Sequence, residues 1–308
     1  MNFDLNDLLA FRAVAELGNF RKAAESVHIS QPAFSRRIEK LEQALGTQLL
    51  ERTTRRVSLT AAGRDFDRQL RSILDALDAT LLGIRGVAAT HMGEVRLACI
   101  PSAVNYFLTD VIQLFHTRYP KIKIRIMDDH ANKVLLAVSQ GDADFGLTFT
   151  GAQEDDVEFS PLLEEEYVAA CRRDHPLAQK AKVSWDELAN YDYINVSKTS
   201  GNRLLLDQAL AFLPKQPKSL YETQHGTTMI GLVEAGLGVA ALPAMAMPKE
   251  NHPLLVSVPL VDPVVTRKIG LIRRRGGVLS PAAQTLYDIF YEMPLRHGTR
   301  IGAVDNQT

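Results

Sequence analysis

Residues 19–56 constrain this chain more tightly than any other stretch. They begin Asn19-Phe20-Arg21-Lys22-Ala23-Ala24-Glu25-Ser26-Val27-His28-Ile29-Ser30-Gln31-Pro32-Ala33-Phe34-Ser35-Arg36-Arg37-Ile38 and continue Glu39-Lys40-Leu41-Glu42. A small helix, a turn of about three residues and a longer helix with a polar outer face make the layout of a helix-turn-helix, whose partner is the major groove of DNA. Ser30 is placed to cap the longer helix, and Pro32 falls in its first turn, where a missing N–H costs nothing. Phe34, Ile38, Leu41 and Leu45 form one apolar stripe. The opposite face carries Gln31, Ser35, Arg36, Glu39 and Glu42. Gln31, Pro32, Ser35 and Arg36 gather in the half of a recognition helix that reaches base edges; Gln suits adenine, and Arg suits guanine or a phosphate. Ala23 and Ala24 are small enough for close helix packing. By spacing alone an ordinary amphipathic helical hairpin remains open.

Leu49-Leu50-Glu51-Arg52-Thr53-Thr54-Arg55-Arg56-Val57-Ser58-Leu59-Thr60 reads as two short strands around a basic tip. Arg52, Arg55 and Arg56 are then placed for phosphates or the minor groove, and Ser30, Arg21 and Lys40 complete the candidate DNA-contacting set. A basic turn directly after a helix-turn-helix makes a winged helix-turn-helix.

The segment "FRKAAESVHISQPAFSRRIEKLEQALGTQLLERTTRRVSLTAAG" resembles the LysR-type transcriptional regulators in its order of Ala-Ala, Ser-Gln-Pro-Ala-x-Ser, Ile-x-x-Leu-Glu, Leu-Gly, Leu-x-x-Arg and Leu-Thr-x-x-Gly. Further resembling motifs are Gly141-x-Ala143-Asp144-x-Gly146-Leu147, His175-Pro176-Leu177 and Val233-Glu234-Ala235-Gly236-Leu237-Gly238-Val239-Ala240-x-Leu242-Pro243. The resemblance implies a two-lobed effector domain like periplasmic binding proteins, no catalytic role, and a homodimer or homotetramer on double-stranded DNA. For an activator it also implies RNA polymerase as a partner.

A chain of 308 residues is long for one domain. Its net charge of −1 hides an asymmetry: residues 19–60 hold eight basic and four acidic residues, a local +4 that leaves −5 elsewhere. A basic head on an acidic body suits a DNA-binding module joined to something else. The two cysteines, Cys99 and Cys171, sit in apolar strand-like runs, so neither a disulfide framework nor a redox thiol is expected. No signal peptide or membrane span is read, and a cytoplasmic location is expected.

Along the chain, the reading places a winged helix-turn-helix at 1–59, a linker helix and hinge at 60–91, and an α/β effector domain at 92–308. The domain's lobe I covers about 92–163 and 268–308, and lobe II about 164–267. Leu5–Gly18 forms a first helix. Thr60 caps a long helix in which Gly63 is merely tolerated. Phe66, Leu70, Ile73, Leu77, Leu81 and Ile84 make a near-heptad seam expected to pair with another copy. From Gly93 the pattern alternates. Strands are expected at Val95–Ile100, Ile122–Met127, Asp144–Thr148, Tyr167–Arg172, Tyr193–Val196, Tyr221–Gln224, Val239–Pro243 and Arg267–Ile272. Helices are expected at Asn105–Tyr119, Lys133–Gln140, Trp185–Ala189, Leu204–Phe212, Thr227–Ala235 and Pro281–Tyr291.

Several strings carry no chemistry. Gly236-x-Gly238-x-x-Ala241 matches a dinucleotide fingerprint, but a helix precedes it and a strand follows, so it reads as a helix cap. Asp144-Phe145-Gly146 lacks the other kinase motifs. The histidines show no zinc spacing, so neither metal nor cofactor is expected. Glu164-Glu165-Glu166 reads as a solvated strand edge. Ligands of open α/β sheets bind beyond the carboxyl ends of strands. That criterion selects Ser102, Thr148, Ser197, Lys198, Asn202, Arg203, His225 and Thr227 as an effector site for a small anionic molecule. Ser102 also matches the position where LysR-type regulators place a ligand-contacting Ser or Thr. The rival readings are a ligand-binding module without physiological DNA binding and a cytosolic α/β enzyme.

Overall fold

Small and aromatic side chains build the first of two units, Met1–Gly86, in the computed structural model, which describes residues 2–52, 57–85, 93–149, 156–248, 252–292 and 299–300. Helix α1 (Leu5–Leu17) starts in a reciprocal capping box between Asp4 and Asp7 and stops at Gly18, whose φ of +59° favours glycine. Asn19 caps α2 (Phe20–Ser26), and Ser30 caps α3 (Gln31–Leu45). Phe11, Ala23, Phe34, Ile38 and Leu41 are buried together where the three helices meet. Strands β1 (Leu50–Arg52) and β2 (Val57–Leu59) pair antiparallel.

Thr60 Oγ1 accepts the Gly63 N–H at 2.9 Å at the start of α4 (Ala61–Arg85). Gly63 is more than tolerated: a Cβ there would lie 2.0 Å from the Leu49 carbonyl oxygen. The expected dimer seam is corrected too. Leu70 is buried in the unit's own core, beside Leu74, and Phe66 stacks edge-on against Phe11 at 5.2 Å. Ile73, Leu77 and Leu81 are exposed at 61%, 36% and 49%. One helix therefore carries an inward stripe and a separate outward stripe. The side chain of Ile84 lies outside the described residues.

The second unit, Val87–Thr308, is an α/β body. Its first lobe holds the parallel strands β3 (Gly93–Cys99), β4 (Ile122–Asp128) and β5 (Phe145–Phe149). A continuous helical run follows β3: α5 (Pro101–Ala103), a π turn at Val104–Leu108, and α6 (Thr109–Arg118). Helix α7 (Ala131–Ser139) joins β4 to β5. The long strand β6 (Val157–Arg172) leads into the second lobe, which contains β7 (Val183–Ser184), α8 (Trp185–Leu188), β8 (Tyr193–Val196), α9 (Gly201–Ala209), β9 (Ser219–Thr223), α10 (Gly226–Glu234), β10 (Val239–Pro243) and β11 (Leu255–Val261). Strand β12 (Thr266–Arg274) returns, and α11 (Pro281–Glu292) packs on the first lobe's core; β13 (Thr299–Arg300) pairs β6.

The sheet runs β4-β3-β5-β12-β6-β10-β8-β9, and its central pair, β12 and β6, is antiparallel. Strand β6 starts ten residues before the expected Tyr167, across a stretch that Pro161 and acidic residues interrupt. Strands β7, β11 and β13 add to the expected set. Helices α9 and α10 and the run from Pro101 begin earlier than expected, each with its first residues at the carboxyl end of a parallel strand. Gly236, with φ +79°, ends α10 ahead of β10, in line with a helix cap.

Candidate functional site

The first candidate site is the outer face of α3. Gln31, Pro32 and Arg36 are exposed, and Ser35 is half-buried. Arg36 has no hydrogen-bond or ionic partner among the described residues. Ser30 is engaged as the helix cap, accepting from Ala33 N at 3.4 Å. Arg21 is exposed and pairs with Glu25 at 3.1 Å. Lys40 is not free: its ammonium bonds Asp7 at 2.7 Å and Asp4 at 3.4 Å, and Arg37 holds the other Asp7 oxygen at 3.1 Å. The two cations tie α3 to the start of α1. Arg52 ends β1 opposite Val57, with its side chain outside the described residues. Arg55 and Arg56 lie outside them altogether.

The second candidate site is a cleft of about 800 Å³, its open mouth included, in the α/β unit. Its wall comes from the carboxyl ends of β3, β4, β5, β8, β9 and β10, as open α/β sheets dictate. Ser102, Asn202, His225 and Thr227 line it, as the sequence reading expected. The other four expected residues are not among the lining residues. Thr148 is buried, and its hydroxyl has no hydrogen-bond partner among the described residues. Ser197 bonds Thr199, Lys198 is exposed, and Arg203 is held by Asp207 at 2.7 Å. The two cations expected to attract an anion are therefore both outside the cleft.

The cation in the wall is Arg267, on β12, which the sequence reading missed. Its side chain is fully buried and sits opposite Glu165 across the β12–β6 ladder. Its Nε donates to Glu165 Oε1 at 2.8 Å, its Nη1 to Asn202 Oδ1 at 2.7 Å and its Nη2 to the Ser102 hydroxyl at 2.9 Å. The guanidinium also lies 4.8 Å from the Phe149 ring centre. Glu165 is thus no solvated edge: its second oxygen accepts Met245 N at 2.8 Å, and its side chain is buried. Burial pushes the Tyr167 phenol up to about 12, so it keeps its proton and donates to Asn202 Oδ1 at 2.8 Å. Across the cleft, the rings of His130 and His225 stack at 5.0 Å, 6° from parallel. The signal for Arg267 lay in the alternation of β12, where it occupies the inward phase shared with Ile269.

Burial raises the Cys99 thiol to about 12, with help from the Asp128 charge, and the Cys171 thiol to about 11. Protonated thiols of this kind are poor nucleophiles. Among the described residues no cluster of three His, Cys, Asp or Glu side chains could hold a metal ion, and no helix is long and apolar enough to cross a membrane.

Comparison with known proteins identifies the family. Residues 5–64 match the bacterial regulatory helix-turn-helix protein model of the lysR family, and residues 88–293 match the LysR substrate binding domain model. The HTH-type transcriptional regulator YbhD of Escherichia coli K12 is 44% identical over 293 residues, covering 95% of this chain and 92% of that one. A full-length OxyR from Pseudomonas aeruginosa has the same fold, with a TM-score of 0.76 at 23% identity over 94% of this chain and 95% of that one. The effector binding domain of QuiR in complex with shikimate superposes with a TM-score of 0.59 at 25% identity, over 65% of this chain and 96% of that one. The chain belongs to the LysR family of DNA-binding transcriptional regulators, proteins that read DNA through an N-terminal helix-turn-helix, carry an effector-binding domain and are not enzymes.

Proposed function

We propose that this regulator reads a two-half-site operator through Gln31, Pro32, Ser35 and Arg36 of α3. Arg21, Arg52, Arg55 and Arg56 steady it on the phosphates. Ser30 serves as the helix cap, and Lys40 as a staple between helices. The outward stripe of α4, Ile73, Leu77 and Leu81, pairs with the same stripe of a second copy, because a lone helix cannot bury it. The protein works in the cytoplasm. A small anionic effector enters the cleft lined by Ser102, Asn202, His225 and Thr227, and its preference for one lobe arrangement shifts the spacing of the DNA-reading heads.

Arg36, exposed and without a partner among the described residues, on the amino-terminal half of α3, carries this reading. The test is selection of genomic fragments by the full-length protein, followed by footprinting. The expected result is protection of two half-sites about one helical turn apart, or a multiple of that. Failure to retard any fragment would favour a ligand-binding module without physiological DNA binding.

A further inference from the structure

One tie between the lobes of the α/β unit is dry. At the crossing of β6 and β12, buried Arg267 donates to Ser102 in the first lobe and to Asn202 in the second. A second tie is of a different kind. His130 of the first lobe and His225 of the second stack their rings 5.0 Å apart and 6° from parallel. The lobes are close beside this stack: a Cβ on Gly201 would lie 3.0 Å from the Phe149 ring and 3.9 Å from the Ala131 Cβ. His130 is half-buried and His225 is exposed, so protons reach the stack from solvent.

Imidazole is the side chain that changes charge between about pH 5 and 8. Each ring stands at the N-cap of a helix, His130 before α7 and His225 before α10, and neither side chain bonds the helix it precedes. The positive ends of two helix dipoles therefore meet at the stack, where positive charge is unfavourable. The carboxylate beside His130 is already engaged: one Asp129 oxygen accepts the His130 amide at 2.8 Å, and the other holds Lys133 at 2.9 Å. The charged residue of the cleft wall is Arg267, a cation paired with Glu165. On the flanking elements, β4 ends in Asp128, β9 carries Glu222, and Lys198 follows Ser197, whose amide bonds the Thr223 carbonyl. Asp128, Glu222 and Lys198 are exposed, and none of them bonds either ring. One proton on the pair is tolerated, because an imidazolium stacks on a neutral ring. A second proton sets two like charges about 5 Å apart. Charges at that spacing favour separation about fourfold even at the dielectric of bulk water, and more beside protein.

Beyond the effector reading, we infer that His130 and His225 form a proton-operated clasp between the lobes, closed while at most one ring is charged and parted when both are. The parted arrangement holds both protons without repulsion. Closure is therefore complete at neutral pH and above and is lost as pH falls from about 7 to 5. The clasp needs no effector. Its regulatory meaning rests on the lobe reading above: a proton becomes an input that acts on the same arrangement as the effector.

The test is the interlobe distance in the full-length protein. Spin labels at Lys121→Cys in the first lobe and Lys218→Cys in the second, both exposed positions, report it by pulsed electron resonance. Cys99 and Cys171 are buried and stay unlabelled. Labelled protein is diluted into excess unlabelled protein, with EDTA present and no effector added. Between about pH 7.5 and 5, the longer-distance fraction rises about fourfold or more. In His130→Gln and in His225→Gln it stays at its neutral-pH value; urea denaturation checks that each variant is folded. No rise in the wild-type histidine pair overturns the clasp, and so does a rise that survives in both variants. Shortening on acidification overturns its sign. Because no effector is present, failure of the clasp leaves the cleft reading standing, whereas the cleft reading fails separately if no effector changes the same distance at neutral pH.

Discussion

Each unit buries a carboxylate, and the two are used differently. Asp7 in the DNA-reading unit is fully buried, but its cations are wet: the Arg37 and Lys40 side chains are 32% and 44% exposed. Glu165 in the effector unit faces an arginine that is itself fully buried, so both partners are shielded from solvent. A half-wet pair holds two helices together at small desolvation cost and survives damage, since solvent takes over the lost contact. A dry pair has no such reserve: without its partner each charge keeps only neutral hydrogen bonds, with no solvent to take over. The dry pair therefore sits where rigidity matters, at the crossing of β6 and β12, and it is the one whose partners line the cleft. The wet pair sits behind the reading helix, where it uses up Lys40 and leaves Arg36 available.

The largest effect that could break this comparison comes from Glu165→Ala. It leaves Arg267 buried and unpaired, and the expected loss is about 3–5 kcal/mol in urea denaturation. Replacing both partners with Leu and Met should recover most of that loss. A loss under about 1 kcal/mol from the single variant would mean that water reaches Arg267 and the two pairs are alike.

Asp7→Asn comes next, at about 1–2 kcal/mol, because Arg37 and Lys40 fall back on solvent. Its signature is the pH dependence. Burial alone would raise the Asp7 carboxyl, but hydrogen bonds from Lys40 and the Asp4 amide, with the Lys40 charge and the Arg37 hydrogen bond, outweigh it and hold the group below its usual 3.8. A depressed folded value means that the stabilisation is complete above the unfolded value and is lost as pH falls through the folded one. The difference between wild type and Asp7→Asn should then be constant at neutral pH and shrink below about pH 4. A difference that grows on acidification would reverse the sign and remove the staple.

Much of the fold was legible because it follows from local rules. Ser30, Pro32 and the Phe34–Ile38–Leu41 stripe define α3 from within fifteen residues, and strands Tyr193–Val196 and Val239–Pro243 appear with the bounds read from their apolar runs. The cleft was half legible. Its position follows from the strand ends, which found Ser102 and Asn202. Its charge did not, because Glu165 and Arg267 lie 102 residues apart and meet only through the β6–β12 register. Local reading preferred the nearby cations Lys198 and Arg203, and the fold turns both elsewhere. The α4 seam failed for a related reason: a 4-3-4 spacing shows an apolar helix, but two adjacent stripes, one packed inward and one not, blend into one when read as a string.

Arg36→Ala makes the smallest change to the fold and the most specific change to function. Arg36 and Lys40 lie one turn apart on α3, yet among the described residues one has no partner and the other is held by Asp7 and Asp4. Removing Arg36 should weaken operator binding by ~1–3 kcal/mol, with the loss concentrated at one base position of each half-site, and should leave urea denaturation unchanged. Lys40→Ala should do the opposite, lowering the stability of the head with little change in base preference, because its charge is spent within the protein. Measuring both variants by operator titration and by denaturation separates a cation that reads DNA from one that holds the reader in shape. Equal losses of base preference from the two would show that the Asp7 staple opens on DNA and that Lys40 is shared between the two roles.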